Sequence, residues 1–280
     1  MLLSIIIVSF NTKKVLKKCL ESLCLGCSGL AGRWEVVIVD NNSQDGSQRE
    51  IKNQISKSKN PNQRLKVSVK AIFNKKNWGF AKAVNQGIKK SAGKYILLLN
   101  SDIICLKKSL TKLVQFASKR KKIGLVGGKL LYPGGQGQAS VYHLPTAGRA
   151  IREFWLGQKG AYLKYLPQSP KPVRVEAVVG AVMLIPRSTI EQIGCLDEAY
   201  FMYFEDLDFC RRLKKAGLAV YYLPAAQFIH FHGQSGKKSP GKVTRFLVRS
   251  SKLYFGRSRY WLVSFILWTG QKWRKTWGKK

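Results

Sequence analysis

The first hundred residues alternate apolar, β-branched runs with amphipathic segments, and this alternation limits the fold more than any other feature. Strands are predicted at residues 3–9, 34–39, 67–73 and 95–99, and helices at 13–24, 46–56 and 80–91. The order β-α-β-α-β-α-β predicts a mainly parallel sheet with helices on both faces. Near-continuous apolar strands agree with a sheet that is covered on both sides.

All four predicted strands end in small, polar or acidic residues. The first is followed by SFN at 9–11, the second by DNNSQDGS at 40–47, the third by NKKNWGFAKAVNQG at 74–87, and the fourth by NSD at 100–102. Ligands bind open α/β sheets at the carboxyl ends of the strands. Four polar ends at one edge therefore predict a ligand site there.

The second half of the chain has a different pattern. Residues 133–172 are rich in Gly, Pro and aromatic side chains, which predicts a long excursion with limited regular structure. The apolar run 173–185 is predicted to resume the sheet. A helix is predicted to begin near Glu205 and to stop at Gly217, and a short strand is predicted at 218–223.

The charge of the chain indicates anionic partners. Its 280 residues have a formal net charge of +36 and a pI of about 10.2, which suits nucleic acid, acidic lipid or phosphorylated small molecules. The basic residues are spread widely and no recognised nucleic-acid module occurs, so we do not expect nucleic acid as the partner. A nucleotide-binding oxidoreductase is also disfavoured, because SFNTKK stands where a Gly-x-Gly-x-x-Gly turn would follow the first strand.

The cysteines leave two interpretations open. Cys19, Cys24 and Cys27 have the spacing C-x4-C-x2-C of one type of iron–sulfur protein. The next cysteine, Cys105, is too distant for that pattern, and two of the three lie in a predicted helix. Reduced cytosolic thiols are therefore the favoured interpretation.

The last forty residues are basic and rich in tryptophan. Residues 241–280 contain eleven Lys/Arg and no Asp/Glu, and they include the apolar run YWLVSFILW at 260–268. Neither this run nor the apolar N-terminal run is long enough to span a bilayer, which takes about 20 residues. A segment lying in a membrane interface is the favoured interpretation, and a helix packed on the core is the alternative.

Seven motifs, in order, resemble those of one enzyme family. They are SIIIVSFN at 4–11, VVIVDNNSQDGS at 36–47, NWGFAKAVNQGI at 77–88, YILLLNSD at 95–102, VVGAVMLIPR at 178–187, LDEAYFMYFEDLDFCRRLKKAG at 196–217 and HFHGQS at 230–235. Together they resemble an inverting family 2 glycosyltransferase of the rhamnosyltransferase-like branch. The resemblance covers about residues 1–236 and implies the α/β GT-A fold, with a Rossmann-like, mainly parallel central sheet.

The resemblance also implies roles for single residues. Asp206 matches the catalytic base, and Glu205 beside it would orient the acceptor or the base. Asp102 matches the last Asp of the D-x-D motif and would bind Mg²⁺ or Mn²⁺, with His230 as a further ligand and His232 as its rival. The donor nucleotide sugar would be bound by Ser9, Asn11, Asp40, Asn42, Asn77, Gly79, Asn100 and Ser101. Asn100 stands where some members have the first Asp of the motif.

Two further residues have open roles. Asn85 is expected to pack or cap within its helix rather than to touch a ligand. Arg211 is either a diphosphate ligand or a solvated helix cation. A GT-A domain is expected over 1–240, with a nucleotide-sugar half at 1–105 and an acceptor half at 106–240, followed by the tail at 241–280.

The expected activity is metal-dependent transfer of a sugar from dTDP-rhamnose or a UDP-sugar to a hydroxyl of a glycan or lipid-linked acceptor, in cell-surface polysaccharide synthesis. The expected location is cytoplasmic, peripheral on the inner face of the cell membrane, with an anionic membrane surface as the partner of the tail. The alternatives are a catalytically inactive family member that acts as a binding protein, and a basic nucleic-acid-binding protein.

Overall fold

The structure is a computed structural model that describes residues 1–58, 67–231 and 240–277. His232 and the rest of the HFHGQS motif after Phe231 lie outside the described residues. The strands are β1 (Leu3–Ser9), β2 (Trp34–Asp40), β3 (Ser68–Phe73), β4 (Tyr95–Asn100), β5 (Ile103–Cys105), β6 (Ile123–Leu131), β7 (Gly137–Gln138), β8 (Val141–Tyr142), β9 (Val173–Val175), β10 (Ala177–Val178), β11 (Val182–Pro186) and β12 (Ala219–His230). The helices are α1 (Lys13–Gly26), α2 (Ser47–Ser58), α3 (Phe80–Lys90), α4 (Ser109–Ser118), α5 (Ala147–Phe154), α6 (Arg187–Ile193), α7 (Glu205–Lys215), α8 (Pro240–Phe255) and α9 (Arg257–Trp277).

The N-terminal half forms the predicted parallel sheet. Strands β3, β2, β1 and β4 are neighbours in that order and all pair in parallel. The predicted strands and helices of this half agree with the structure to within about two residues at each end. The α/β class and the parallel pairing are therefore confirmed for this half.

The sheet continues into the second half through an antiparallel strand. β11 pairs antiparallel with β4 on one side and with β6 on the other, and β12 then pairs parallel with β6. The prediction for residues 173–185 is correct only in part: this run forms three strands, and β10 leaves the main sheet to pair with β8. β12 is also longer than predicted, since it continues through an irregularity after Leu223 as far as His230.

Helices cover both faces of the sheet because alternate strand residues are apolar on both sides. In β1, Ile5 and Ile7 face the core shared with α1 and α4, whereas Ile6 faces the core shared with α3 and α7. Both cores are buried. The arrangement leaves the carboxyl ends of the parallel strands as the open edge where a ligand can bind.

The excursion at 133–172 has limited regular structure, as predicted, but it is anchored. It contains β7, β8 and the short helix α5. Strand β8 pairs with β10, and Val141 and Tyr165 exchange backbone hydrogen bonds of 3.1 and 2.9 Å. The excursion is thereby tied to the segment that leads into β11.

The two C-terminal helices pack on the domain with one face. Tyr254 of α8 and Val263 and Ile266 of α9 are buried. Trp261 and Phe265 of α9 are exposed. The tail therefore packs on the core, as the alternative interpretation of its sequence predicted. It also has exposed apolar side chains. No helix in the described parts of the chain has the length and apolarity needed to cross a membrane.

Candidate active site

Asp40 has a buried carboxylate oxygen without a hydrogen-bond partner. It ends β2 and is 0% exposed. Its Oδ1 accepts bonds of 2.9 Å from the backbone N–H of Ser43 and from the side chain of Gln48. Its Oδ2 has no partner among the described residues. Because an unpaired buried carboxylate oxygen is costly, this atom is placed to accept a hydrogen bond from a ligand.

The loops after β1 and β2 are fastened to each other. The backbone N–H of Asn11 donates to Ser43 Oγ at 2.9 Å, and the backbone N–H of Gln44 donates to Asn11 Oδ1 at 2.7 Å. Asn11 and Asn42 both have positive φ, 55° and 67°, a conformation that Asn tolerates better than most residues. Ser9 is fully buried at the end of β1. The structure thus brings together Ser9, Asn11, Asp40 and Asn42 at one edge of the sheet.

The loop before α3 approaches protein backbone rather than an open site. Gly79 has φ of 89°, and a Cβ on it would lie 2.5 Å from the carbonyl oxygen of Phe201. Asn77 Oδ1 accepts the backbone N–H of Gly79 at 2.9 Å. Gly79 therefore comes close to the backbone of Phe201. Contact of Asn77 and Gly79 with a donor stays a prediction.

Asn85 packs, as expected, although its partners are outside its own helix. Its Nδ2 donates to the carbonyl of Leu196 at 2.8 Å and its Oδ1 accepts the backbone N–H of Leu196 at 3.2 Å. The residue joins α3 to the segment that leads towards α7.

Asp102 and His230 form a pair just beyond β4. Asp102 Oδ1 and His230 Nε2 lie 3.4 Å apart, and both residues are buried. The other ring nitrogen of His230 lies 2.8 Å from Gln138 Oε1, which fixes the ring. The pairing of β12 with β5 and a backbone bond of 3.0 Å from Phe231 N–H to the Asp102 carbonyl hold the two chains together. Asn100 and Ser101 precede this pair.

The Asp102–His230 pair fits a divalent cation that a substrate helps to bind. One carboxylate oxygen and one imidazole nitrogen supply two ligands, and Mg²⁺ sites use one or two carboxylates together with substrate phosphates. The described residues include no group of three or more His, Cys, Asp or Glu side chains that could hold a metal alone. The cysteines at 19, 24 and 27 form no such group with other described residues either. Cys24 is exposed, and Cys19 and Cys27 are buried.

Glu205 and Asp206 begin α7 in different environments. Asp206 is half-buried; its Oδ2 accepts the backbone N–H of Gly180 at 2.9 Å and its Oδ1 that of Leu207 at 2.8 Å. Glu205 is buried and its Oε2 has no partner among the described residues. Burial raises the pKa of both carboxyls, and the charge of Asp206 raises the pKa of Glu205 further, whereas the two backbone donors oppose the rise at Asp206. The two backbone donors favour the ionised form of Asp206, whereas burial and the neighbouring charge favour the neutral form of Glu205.

The approach to Asp206 is built on a strained turn. Tyr203 and Phe204 have φ of 70° and 67°, a region that bulky residues rarely adopt. Such strain at consecutive residues persists only where the surrounding structure fixes it, and it is common next to active sites. It turns the chain sharply into α7 at the two carboxyls.

Arg211 and Asp208, the third acidic residue of α7, make contacts within the domain. Arg211 Nη2 contacts Asp208 Oδ1 at 2.6 Å, and Arg212 Nε contacts Asp208 Oδ2 at 2.9 Å. Arg211 also donates to the carbonyl of Tyr254 in α8 at 3.0 Å and lies over its ring. Arg211 is thus neither a solvated cation nor, in this arrangement, free to bind a diphosphate.

Two residues beside Asp206 were not predicted from the sequence. Tyr142 and Lys164 lie within electrostatic range of Asp206, and the pKa of Tyr142 is raised by burial and by the nearby carboxyls. Lys164 is half-buried, and burial lowers its pKa, which the charge of Asp206 opposes. Both belong to the excursion at 133–172. Its composition indicated a functional segment, but no motif singled out these two positions.

Comparison with known proteins identifies the family. Residues 4–178 match Glycosyl transferase family 2, and residues 95–278 match Glycosyl transferase family group 2. The chain belongs to glycosyl transferase family 2. It is a glycosyltransferase with the GT-A fold, which confirms the resemblance seen in its motifs.

Two relatives are rhamnosyltransferases. The N-acetylglucosaminyl-diphospho-decaprenol L-rhamnosyltransferase of Mycobacterium tuberculosis is 27% identical over 287 residues, covering 95% of this chain and 88% of that protein. The rhamnosyltransferase WbbL of Escherichia coli K12 is 30% identical over 171 residues, covering 59% of this chain and 62% of that protein. The family 2 chain is therefore similar to rhamnosyltransferases over nearly its whole length.

Two solved glycosyltransferases share the fold. The mannosyltransferase PcManGT of Pyrobaculum calidifontis, solved with GDP-Man and Mn²⁺, has a TM-score of 0.59 at 13% identity and covers 99% of this chain and 76% of that chain. TarS 1-349 of S. aureus, solved with UDP-GlcNAc, has a TM-score of 0.56 at 16% identity and covers 99% of this chain and 73% of that chain. At such identities the likeness supports the fold alone.

Proposed function

We propose that this family 2 glycosyltransferase transfers a sugar, with inversion, from a nucleotide diphosphate sugar to a hydroxyl of a lipid-linked or glycan acceptor during cell-surface polysaccharide synthesis. The observation that carries the proposal is the environment of Asp206. Its carboxylate is fixed by two backbone donors, is partly exposed, and stands beside Glu205, whose pKa is raised by burial. A fixed, accessible carboxylate is the group that a general base requires.

In the proposed mechanism Asp206 takes the proton from the acceptor hydroxyl as that oxygen attacks the anomeric carbon. The bond from the anomeric carbon to the nucleotide diphosphate breaks on the opposite side, so the configuration inverts. The transition state would be oxocarbenium-like, as in other glycosyl chemistry. In the proposal Glu205, whose pKa is raised by burial, would donate a hydrogen bond from its neutral form that orients the acceptor or the base.

The donor side of the proposal rests on Asp40 and on the Asp102–His230 pair. The free Oδ2 of Asp40 suits the ring N–H of a uracil or thymine base, or a ribose hydroxyl. Ser9, Asn11, Asn42, Asn77, Gly79, Asn100 and Ser101 are the further donor-binding residues of the proposal. Mg²⁺ or Mn²⁺ held by Asp102 and His230 would offset the charge of the leaving diphosphate. Mn²⁺ in the solved mannosyltransferase makes a divalent metal reasonable.

The donor and acceptor classes follow the relatives. Both relatives described above are rhamnosyltransferases, which favours dTDP-rhamnose, and a UDP-sugar fits the same Asp40 chemistry. The name of the mycobacterial relative contains a diphospho-decaprenol acceptor. We therefore propose a lipid-linked acceptor that carries a diphosphate.

The proposal includes attachment to the inner face of a membrane. Residues 241–280 contain eleven basic and no acidic residues, and each basic residue near an anionic leaflet adds about 1 kcal/mol of attraction. A lipid-linked acceptor resides at that surface.

The function is tested by release of nucleoside diphosphate. The full chain is incubated with dTDP-rhamnose or UDP-sugars, Mn²⁺ and a polyprenyl-diphospho-N-acetylglucosamine acceptor. Acceptor-dependent release that Asp206→Asn abolishes supports the proposal. Nucleotide binding without any release, across these donors, would favour an inactive family member that acts as a binding protein.

A further inference from the structure

Helices α5 and α9 are joined so closely that they form one surface. A Cβ on Gly270 of α9 would lie 2.7 Å from Cβ of Phe154, so only glycine allows this approach. Trp155, directly after α5, stacks on Trp273 of α9 with ring centroids 5.9 Å apart. Its indole N–H also donates to the carbonyl of Ile266 at 3.3 Å. The orientation of α9 is therefore fixed relative to the domain.

The outward side of α9 is apolar and exposed. Trp261 is 60% exposed, Phe265 62% and Trp268 56%. Their spacing of four and three residues puts them on one stripe of the helix, away from the buried residues Val263 and Ile266. Three large aromatic and apolar side chains in one exposed stripe mark an interaction surface rather than scattered surface residues.

Exposed apolar residues also occur on α5 and in the excursion. Ile151 of α5, Leu156 after it and Leu163 are all exposed. Leu163 is held against α5, because Glu153 Oε2 accepts the backbone N–H groups of Tyr162 and Leu163 at 2.7 and 2.8 Å. We call this surface, made of Ile151, Trp155, Leu156, Leu163, Trp261, Leu262, Phe265 and Trp268, the apolar face.

The charges around the apolar face suit an anionic layer. Lys272 lies 4.0 Å from the ring centroid of Trp268, and Lys252 lies 5.4 Å from that of Trp261. The sequence has no acidic residue from 241 onward. Aromatic side chains among cations, without acids, are typical of helices that lie in the interface of anionic membranes.

One exposed residue of the apolar face, Leu163, is next in sequence to a lysine near the proposed catalytic base. Lys164 follows Leu163 directly and lies within electrostatic range of Asp206. The 162–164 turn thus links α5, which packs on α9, to the neighbourhood of Asp206. An acceptor whose lipid stays in the bilayer would meet this turn before it meets Asp206.

We propose that the apolar face docks in the headgroup region of an anionic bilayer, so that the membrane presents a lipid-linked acceptor to Asp206 across the Leu163–Lys164 turn. This inference rests on the proposed function for its acceptor, but docking itself does not require catalysis. Lys164, a half-buried ammonium without a described ion-pair partner, would meet the phosphate of the acceptor.

The test is flotation of the full-length protein with vesicles. Wild type is expected to float with vesicles of phosphatidylcholine and phosphatidylglycerol and to stay unbound with phosphatidylcholine alone. Phe265→Glu should weaken binding by about tenfold or more. It removes an apolar side chain that the bilayer would bury, and it adds a negative charge that anionic lipid repels. Leu163→Glu should also weaken binding. Leu25→Glu, on α1 across the sheet and 48% exposed, is the matched control and should bind like wild type.

Three outcomes would overturn the inference. Wild type that does not float with anionic vesicles has no such docking face. If Phe265→Glu floats like wild type, or if Leu25→Glu loses as much vesicle binding as Phe265→Glu, the binding is due to charge alone. Wild type could also fail to bind vesicles and sediment as a dimer that Phe265→Glu dissociates. The apolar face would then be a contact between copies of the chain. Binding of UDP or dTDP by the same preparations reports on the donor site separately, so failure of the proposed function is recognised independently.

Discussion

The backbone N–H of Gly180 donates a hydrogen bond of 2.9 Å to Oδ2 of Asp206. Gly180 lies in the connection from β10 to β11, and Asp206 lies in the first turn of α7. The bond therefore fixes the carboxylate by the connection that leads into β11 and not by its own helix alone. Together with the bond from the N–H of Leu207 it leaves the carboxylate oriented and only partly exposed.

The first prediction concerns the base. In Asp206→Asn the amide cannot take a proton, so turnover should fall by about 10²- to 10⁴-fold. Donor affinity should stay within about twofold, because Asp206 is not placed at the donor side. Nucleoside diphosphate release measures the first quantity and calorimetry the second.

Asp208→Asn is the matched control on the same helix. Asp208 is bound by Arg211 and Arg212, so its loss should lower the free energy of unfolding by about 1–3 kcal/mol. Turnover of the folded protein should change little. If both variants lose turnover equally, the effect belongs to the helix and not to Asp206.

The second prediction concerns Glu205 and pH. Its pKa is raised by burial and by the charge of Asp206, so the folded state keeps a proton that the unfolded chain loses above about pH 4. The free energy of unfolding should therefore fall as pH rises from there through the raised pKa. Glu205→Gln, which mimics the protonated acid, should be more stable than wild type at about pH 8 and equal to it at about pH 4. Thermal unfolding at both pH values measures this, and equal stability at high pH would show an ionised Glu205.

The third prediction concerns Lys164. Its positive charge lowers the pKa of Asp206. Lys164→Met should therefore raise that pKa and move the acid limb of the kcat/KM profile to higher pH. The exposed Lys159 of the same segment is the control, and Lys159→Met should leave the profile in place. If Lys164 matters only for folding, Lys164→Met will change the amount of folded protein and will leave the acid limb of the kcat/KM profile in place.

The fourth prediction concerns the buried, unpartnered oxygen of Asp40. Asp40→Asn replaces one carboxylate oxygen by an amide N–H₂ group, so a base N–H or a ribose hydroxyl loses an acceptor. Affinity for UDP or dTDP should fall by about 10- to 100-fold, the cost of one charge-assisted hydrogen bond. Glu50→Gln, on α2, should bind normally. Unchanged affinity in Asp40→Asn would remove this residue from the donor site.

The sequence was informative where local pattern and topology agree. The four parallel strands, and the meeting of Ser9, Asn11 and Asp40 at one edge, follow from apolar periodicity and from the geometry of parallel sheets. The pairing of Asp102 with His230 needed the family motifs, because 128 positions separate them and only the return of β12 beside β5 joins them.

Other features depend on tertiary contacts that carry little local signal. A run such as 173–185 is apolar throughout, so nothing in it indicates that β10 leaves the main sheet for β8. The close approach of Gly79 to the carbonyl of Phe201 is another contact that the local sequence does not indicate. In the sequence nothing distinguishes Lys164 from the other basic residues, of which there are fifty in total. Its position near Asp206 depends on the hydrogen bonds that hold the 162–164 turn on Glu153.

The most direct test of the account is calorimetric titration of UDP and dTDP into the full chain, with Mn²⁺ or Mg²⁺ and then with a chelator. The account predicts binding of at least one nucleotide that needs the metal and that Asp102→Ala abolishes. Binding that is equally strong in chelator and in Asp102→Ala would contradict the metal site. No binding of either nucleotide under any condition would contradict the proposed donor site as a whole.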